Sequence, residues 1–296
     1  MEITTALGRV VEVNDDYTVD QGWDDYTQAE HDRWDLLYAR QGKVLKGRAC
    51  NEFMEGVEKL EISKGGIPNF LELSERLGKM TGWSIVAVPD LVPDEVFFEH
   101  LANRRFPAAL FIRSAEQLDY LQEPDIFHDV FGHAPMLAHP VFADYMEAYG
   151  KGGLRADGLG VLHKLARLYW YTVEFGLIHT SEGLRIFGSG IVSSKGESIY
   201  SLEDPSPNRI DFELLRVMST NYRIDDYQET YFVIDSFEAL ADETLKDFAS
   251  IYKALEGRPE MQPADIVDGD VVVHRGSQAY EAARIKERAQ LAKSTA

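Results

Sequence analysis

Three scarcities exclude whole classes of protein before any motif is read. Cysteine occurs once, at Cys50, so no intrachain disulfide can form and a disulfide-stapled secreted scaffold is ruled out. No run approaches the roughly 20 apolar residues that a membrane-spanning helix needs, and the N-terminal MEITTALGRVVEVNDD lacks the apolar core of a secretory signal. A soluble chain in a reducing, cytoplasmic setting is the expectation. Positive charge is also short: 30 Lys and Arg face 50 Asp and Glu, a formal net charge of −20. Such a surface repels phosphate backbones and anionic lipid, which argues against nucleic-acid and membrane partners. Internal repeats and Pro- or Ser-rich linkers are missing as well. One catalytic domain over residues 21–256, with an N-terminal arm over 1–20 and a polar C-terminal tail over 257–296, is the economical division.

What is present suits a globular enzyme, because 296 residues at 45% hydrophobic content can bury a sizeable core. In YTQAEHDRWDLLYARQ, Thr27 and Glu30 are spaced as a capping box, and Trp34, Leu37 and Tyr38 share the face that follows. Apolar periodicity predicts further helices over 44–60, 70–80 with Leu73 and Leu77 inward, 93–103, 125–132, 140–149 and 156–178. Two more are expected at 211–219 and 236–253, separated by the β-prone YFVI. FPAALFIR, ending at Arg113, reads as a buried strand, and GLRIFGSGIVSSKGESIYS as small strands and tight turns. EAARIKERAQLAK is at most a short charged helix. The fold class is α+β, predominantly α-helical, with a few short strands.

DIFHDVFGH, residues 125–133, sets His128 and His133 five apart. Zinc proteases of the HExxH type need a spacing of four to put both imidazoles on one helical face. Five residues turn an ideal helix by about 500°, an offset of roughly 140°, so both rings reach one ion only if the helix ends between them. Gly132 and Pro135 are suited to end it. Asp129, next to the first histidine, can orient an imidazole but is too short to be assumed a base. Apolar neighbours Ile126, Phe127, Val130 and Phe131 make unpartnered histidines costly, and one ion would satisfy both.

A third ligand is available in LYWYTVEFGL, where Glu174 lies among Trp170, Tyr171, Val173 and Phe175, and buried carboxylates need a partner or a cation. Two histidines and one carboxylate form the facial triad of non-haem Fe(II) oxygenases. A catalytic zinc held by the same three residues is the competing reading. It would make the chain a hydrolase, for which the base supplied by the HExxH glutamate is missing.

PDIFHDVFGHAP, LYWYTVEFG, GSGIVSSKGES and NYRIDDYQETYFV, in this order, resemble the pterin-dependent aromatic amino acid hydroxylases over about residues 20–255. Within that family the chain is most similar to the bacterial phenylalanine 4-hydroxylases, which lack a regulatory domain and a tetramerisation helix. The resemblance implies a monomeric monooxygenase that converts L-phenylalanine to L-tyrosine with O2, with tryptophan as the alternative substrate. It implies Fe(II) on His128, His133 and Glu174, and a tetrahydropterin beside the metal against Phe97, Asp129 and Tyr169. Asp129 stands where animal members have glutamate, which shortens its reach. For the amino acid it implies Arg113 on the carboxylate, oriented by Asp125, with Trp170, Gly190 and Ser193 around the substrate. Leu121 replaces a threonine that animal members use on the substrate, so that contact is expected to be lost or replaced. A net-acidic protein that binds a zwitterion needs a local guanidinium whose fork takes a carboxylate, which suits Arg113.

Overall fold

The computed structural model describes residues 2–4, 10–89, 91–119, 124–244 and 246–294. Leu121 lies outside them. Strands β1 (Glu2–Thr4) and β2 (Val10–Glu12) pair as an antiparallel hairpin ahead of helices α1 (Gln28–Val44), α2 (Asn51–Lys59) and α3 (Phe70–Met80). The capping box at α1 is real: Glu30 N donates to Thr27 Oγ1 at 3.3 Å, and Thr27 N to Glu30 Oε2 at 2.8 Å. Trp34 and Leu37 are fully buried on the inward face of α1, as are Leu73 and Leu77 on α3. Strand β3 (Ser84–Val88), helix α4 (Asp94–Ala102) and strand β4 (Arg105–Ala109) form a crossover unit in which the two strands run parallel, Val86 opposite Pro107.

The chain then enters the core as a π-helix, Phe127–His133, continuous with α5 (Ala134–Leu137). Phe127 packs edge-on against Trp34 at 5.2 Å and stacks on Phe131 at 4.7 Å, which meets Phe53 of α2 at 5.7 Å. Next come α6 (Pro140–Gly158), α7 (Leu162–Tyr169) and a second π-helix, Trp170–Glu174. Strands β5 (Leu177–Thr180) and β6 (Gly183–Ile186) lead to helices α8 (Ser189–Val192) and α9 (Lys195–Glu203). Strand β7 (Asn208–Asp211), helix α10 (Leu214–Met218), strand β8 (Thr230–Ile234), helices α11 (Phe237–Thr244) and α12 (Phe248–Leu255), strand β9 (Val272–His274) and helix α13 (Ala279–Ser294) complete the order. The five-stranded sheet runs β6-β5-β8-β7-β9, with parallel pairs around β8 and antiparallel pairs at both edges.

Several expected boundaries shift for identifiable reasons. The run 44–60 divides between the end of α1 and α2, with Gly47 at φ +73° in the turn. The helix expected over 140–149 continues to Gly158, and the one expected over 156–178 is interrupted at 159–161, where Gly160 takes φ +68°. An apolar stripe persists across that break, so periodicity cannot see it. GLRIFGSGIVSSKGESIYS is strand only at its start; the rest is helical because Ser194 caps α9, its Oγ accepting from Glu197 N. The segments 211–219 and 236–253 are a strand end followed by α10, and two helices, respectively.

The polar stretch after residue 256 is tied to the body of the molecule. β9 pairs with β7, and α13 lays Tyr280 against Tyr227 at 5.4 Å while Arg284 and Arg288 reach Asp226 at 2.9 and 3.0 Å. At the other end, Val19 N donates to Ala87 O and Arg105 pairs with Asp16 at 2.8 Å, so the start of the chain is fastened along β3 and β4. No helix of the described residues is long and apolar enough to cross a membrane.

Candidate active site

The two π-helices face each other and supply all three candidate ligands. In a π-helix the hydrogen bonds run from i to i+5, so residues five apart come over one another. His128 and His133 therefore reach a common point without the helix ending between them. This corrects the expectation that Gly132 and Pro135 stop it: the winding runs through Gly132 into α5, with Pro135 in the first turn of α5. Gly132 instead permits close approach of α8, since a Cβ there would lie 3.0 Å from Ser189 O.

His133 Nε2 lies 3.2 Å from Glu174 Oε1, His128 Nε2 lies 3.6 Å from Glu174 Oε2, and the two imidazole nitrogens are 3.3 Å apart. Three donor atoms within 4.8 Å of one another is the geometry of a cation site, and it is the one such cluster among the described residues. The hydrogen bonds fix which nitrogen of His128 is free. Ser193 Oγ donates its proton to Ser189 O at 2.7 Å, so it accepts from His128 Nδ1–H at 2.9 Å, leaving Nε2 as a lone pair aimed at the cluster. Burial, with His133 nearby, holds the His128 imidazole down at about 4, so it stands neutral. Burial would raise the Glu174 carboxyl, but His133, His128 and the Ser189 hydroxyl at 2.9 Å outweigh it and hold it at about 2. Two imidazoles and one carboxylate converging on one point fit a divalent transition metal such as Fe(II).

A cleft opens from this cluster, walled by Phe97, Phe106, Asp129 and Tyr169 together with the three ligands. The Phe106 ring packs tilted on His133 at 4.6 Å, while Tyr169 stacks loosely on the same imidazole at 6.3 Å and meets Phe97 edge-on at 6.0 Å. Asp129 accepts from Ala109 N at 2.7 Å, and burial raises its carboxyl to about 7. All three residues expected on the pterin side thus share the wall.

Of the residues expected to hold the amino acid, Arg113 is fastened to Asp125, which is fully buried. Arg113 donates to it from Nε at 2.8 Å and Nη2 at 2.7 Å, and its own backbone N–H adds a third bond at 2.8 Å. Asp125 also accepts His128 N–H at 3.0 Å, so the arginine and the metal ligand are referenced to one carboxylate. Arg113 Nη1 has no partner among the described residues, which leaves one edge of the fork for a ligand. None of Arg113, Asp125, Trp170, Gly190 and Ser193 is on the wall of the metal cleft. Trp170 stacks on Tyr222 at 4.4 Å and donates to Gln228 Oε1 at 2.9 Å; a Cβ on Gly190 would strike the Phe175 ring at 2.8 Å. Ser189 and Phe106 escaped the sequence reading, although the density of small polar residues in GSGIVSS was a usable signal for Ser189.

The family model of biopterin-dependent aromatic amino acid hydroxylases matches residues 18–266. A phenylalanine-4-hydroxylase of Caulobacter vibrioides is 63% identical over 268 residues, covering 90% of this chain and 91% of the relative. The crystal structure of the Chromobacterium violaceum phenylalanine hydroxylase with iron and phenylalanine bound superposes with a TM-score of 0.85 at 55% identity, over 89% of this chain and 96% of that one. The same enzyme with bound Fe(III) gives a TM-score of 0.86 at 57% identity, over 88% and 96%. With its helical fold, its facing π-helices and this coverage, the chain belongs to the biopterin-dependent aromatic amino acid hydroxylases.

Proposed function

We infer that this chain is a phenylalanine 4-monooxygenase, hydroxylating L-phenylalanine to L-tyrosine with Fe(II), a tetrahydropterin and O2. The observation that carries this reading is the cluster of His128, His133 and Glu174 at the end of an aromatic-walled cleft, with Arg113 fastened to the same carboxylate as His128. Fe(II) and the reduced pterin supply, when bound, the electrons and open coordination positions on which oxygen activation depends. Everything else is done by the chain's own side chains.

Phe97 and Tyr169, set edge-on to each other, give the pterin apolar walls, and Asp129 is the polar group beside it. The free edge of Arg113 takes the carboxylate of the amino acid, and Asp125 keeps that guanidinium from rotating. Ser193 joins this side to the metal cluster through His128, while Trp170 and Gly190 keep their substrate roles on the resemblance alone. Apolar walls exclude water from the reacting centre. A zinc hydrolase would need a base on metal-bound water, and among the described residues the other carboxyl on the wall, Asp129, has its Oδ2 committed to Ala109 N–H. With no cysteine pairing and no obligate second copy needed to complete the site, a monomer is the proposed state.

An aerobic assay of metal-stripped protein reloaded with Fe(II) or Zn(II), given a tetrahydropterin and either phenylalanine or tryptophan, tests the reading. Tyrosine should form only with Fe(II) and pterin together. Hydroxytryptophan as the main product would move the chain elsewhere in the family, and no product in any combination would overturn the oxygenase reading.

A further inference from the structure

Among the described residues the wall of the metal cleft begins at Val88, yet residues 14–19, far earlier in the chain, are fastened to β3, α4 and β4, which carry one side of it. Residues 14–18 form a closed turn. Asn14 N donates to Thr18 O at 2.9 Å and Tyr17 N to Asn14 O at 3.0 Å, while Asp16 Oδ1 accepts from Thr18 Oγ1 at 2.7 Å and from Thr18 N at 3.2 Å. The turn holds Tyr17 at φ +64°, a left-handed conformation that a non-glycine residue keeps only when its surroundings impose it. Three bonds leave this strap. Val19 N donates to Ala87 O of β3 at 2.9 Å, His100 Nε2 of α4 donates to Asp16 O at 2.9 Å, and Arg105 Nη1 of β4 donates to Asp16 Oδ2 at 2.8 Å. A carbonyl can only accept, so the ring proton of His100, 1% exposed, sits on Nε2.

Each anchor stands beside a residue of the wall. Ala87 precedes Val88, Arg105 precedes Phe106, and His100 follows Phe97 by three residues, which brings the two to neighbouring turns on one side of α4. Successive residues of a strand point to opposite faces, so β4 gives Arg105 to Asp16 on one face and Phe106 to the cleft and the His133 imidazole on the other. Helix α4 is also pressed on α6, where a Cβ on Gly150 would lie 2.4 Å from Ala102 N and one on Gly153 would lie 1.9 Å from the Phe98 ring. Those contacts set how near α4 lies to α6. His100, two residues from both Phe98 and Ala102 and so about 200° around the helix, is held from the far side, which fixes the roll of α4. We propose that Asp16 is a positioning residue for pterin binding: its carbonyl and its carboxylate keep α4 and β4 in register with β3, and so hold Phe97 and Phe106 in place on the wall that the pterin meets. The proposal rests on the reading above for the identity of that ligand.

The test compares wild type, Asp16→Asn, Arg105→Gln and the double variant, each loaded with Fe(II). An asparagine keeps an Oδ1 for Thr18 but turns an amide N–H toward the guanidinium, so it breaks the tie to β4 while sparing the turn. Tetrahydropterin binding is measured by calorimetry without oxygen, and KM for the pterin and for phenylalanine in the aerobic assay. A part-exposed ion pair is a modest tie, so each single variant should weaken pterin binding and raise its KM about threefold. KM for phenylalanine and Fe(II) affinity should stay within about twofold. Because the two side chains act through one bond, the double variant should be no worse than either single one. A merely structural role would lower the melting temperature and leave pterin affinity at the wild-type value; that result overturns the proposal, as does a double variant whose losses add. A wild type that binds iron but no tetrahydropterin would sink the parent reading, and this one with it.

Discussion

Single atoms decide the site. His128 is a competent ligand because one hydroxyl, Ser193 Oγ, accepts from Nδ1 and is itself committed to Ser189 O, which leaves no ambiguity about the tautomer. Ser193→Ala removes that acceptor without opening a large cavity. Loss of such an orienting partner typically lowers metal affinity by about 10- to 100-fold, so Fe(II) should be released to a chelator at correspondingly lower concentration while the melting temperature hardly moves. An unchanged chelator titration would show that packing against Phe106 and the helix alone orients the imidazoles. At this scale the sequence was most legible. His128, His133 and Glu174 were visible because burial of a polar group demands a partner, and that demand is written in the apolar residues around each of them. Phe106 and Ser189 were not, because a phenylalanine in a strand and a serine opening a short helix carry no such demand. Trp170 and Gly190 took their roles from resemblance, and the structure sets them behind Phe175 and Tyr222, off the wall of the metal cleft.

At the scale of elements, the two π-helices are the part that periodicity could not supply. A repeat of apolar residues reports that a segment is helical and which face is inward; it does not distinguish i→i+4 from i→i+5 bonding over one or two turns. That is why the five-residue spacing pointed to a helix end and the structure answered with a wider winding. Elements bearing the ligands are held by contacts between backbones. Gly188, at the entry to α8, approaches so closely that a Cβ would stand 2.5 Å from both Glu174 O and Gly176 N. Neither neighbour is a flexible side chain, so Gly188→Ala must push α8 from the second π-helix and draw the Ser189 hydroxyl off Glu174. Such overpacking costs about 1–3 kcal/mol. Denaturant unfolding should show that loss together with weaker Fe(II) binding, whereas a stability loss with full iron affinity would mean that α8 and the ligand move independently.

On the scale of the whole molecule, the expected division into arm, domain and tail describes composition better than it describes contacts. Residues after 256 are polar because they lie on the surface, yet they close the edge of the sheet through β9 and cover Tyr200 and Tyr227 through α13. Polarity was legible in the sequence; a long-range pairing of three residues with β7 was not, since nothing local announces it. The consequence reaches the loop that holds Trp170. Asp226 draws its hydrogen bonds from Tyr280, Arg284 and Arg288 of α13, and Arg223 is paired with Glu281, so the loop carrying Tyr222 and Gln228 is braced from outside. Truncation after Val271 keeps the Arg216–Asp270 pair and every ligand but removes that brace. Iron affinity should stay as in the full chain, because the π-helices and α8 are untouched. KM for phenylalanine should rise several-fold as Trp170 loses a fixed neighbour, and the melting temperature should fall by about 2–4 °C for each kcal/mol of lost contact. Steady-state kinetics and a thermal melt of the truncated protein decide it: full-length values in both would reduce the C-terminal segment to a passenger, and a loss of iron would mean that the brace reaches the metal centre itself.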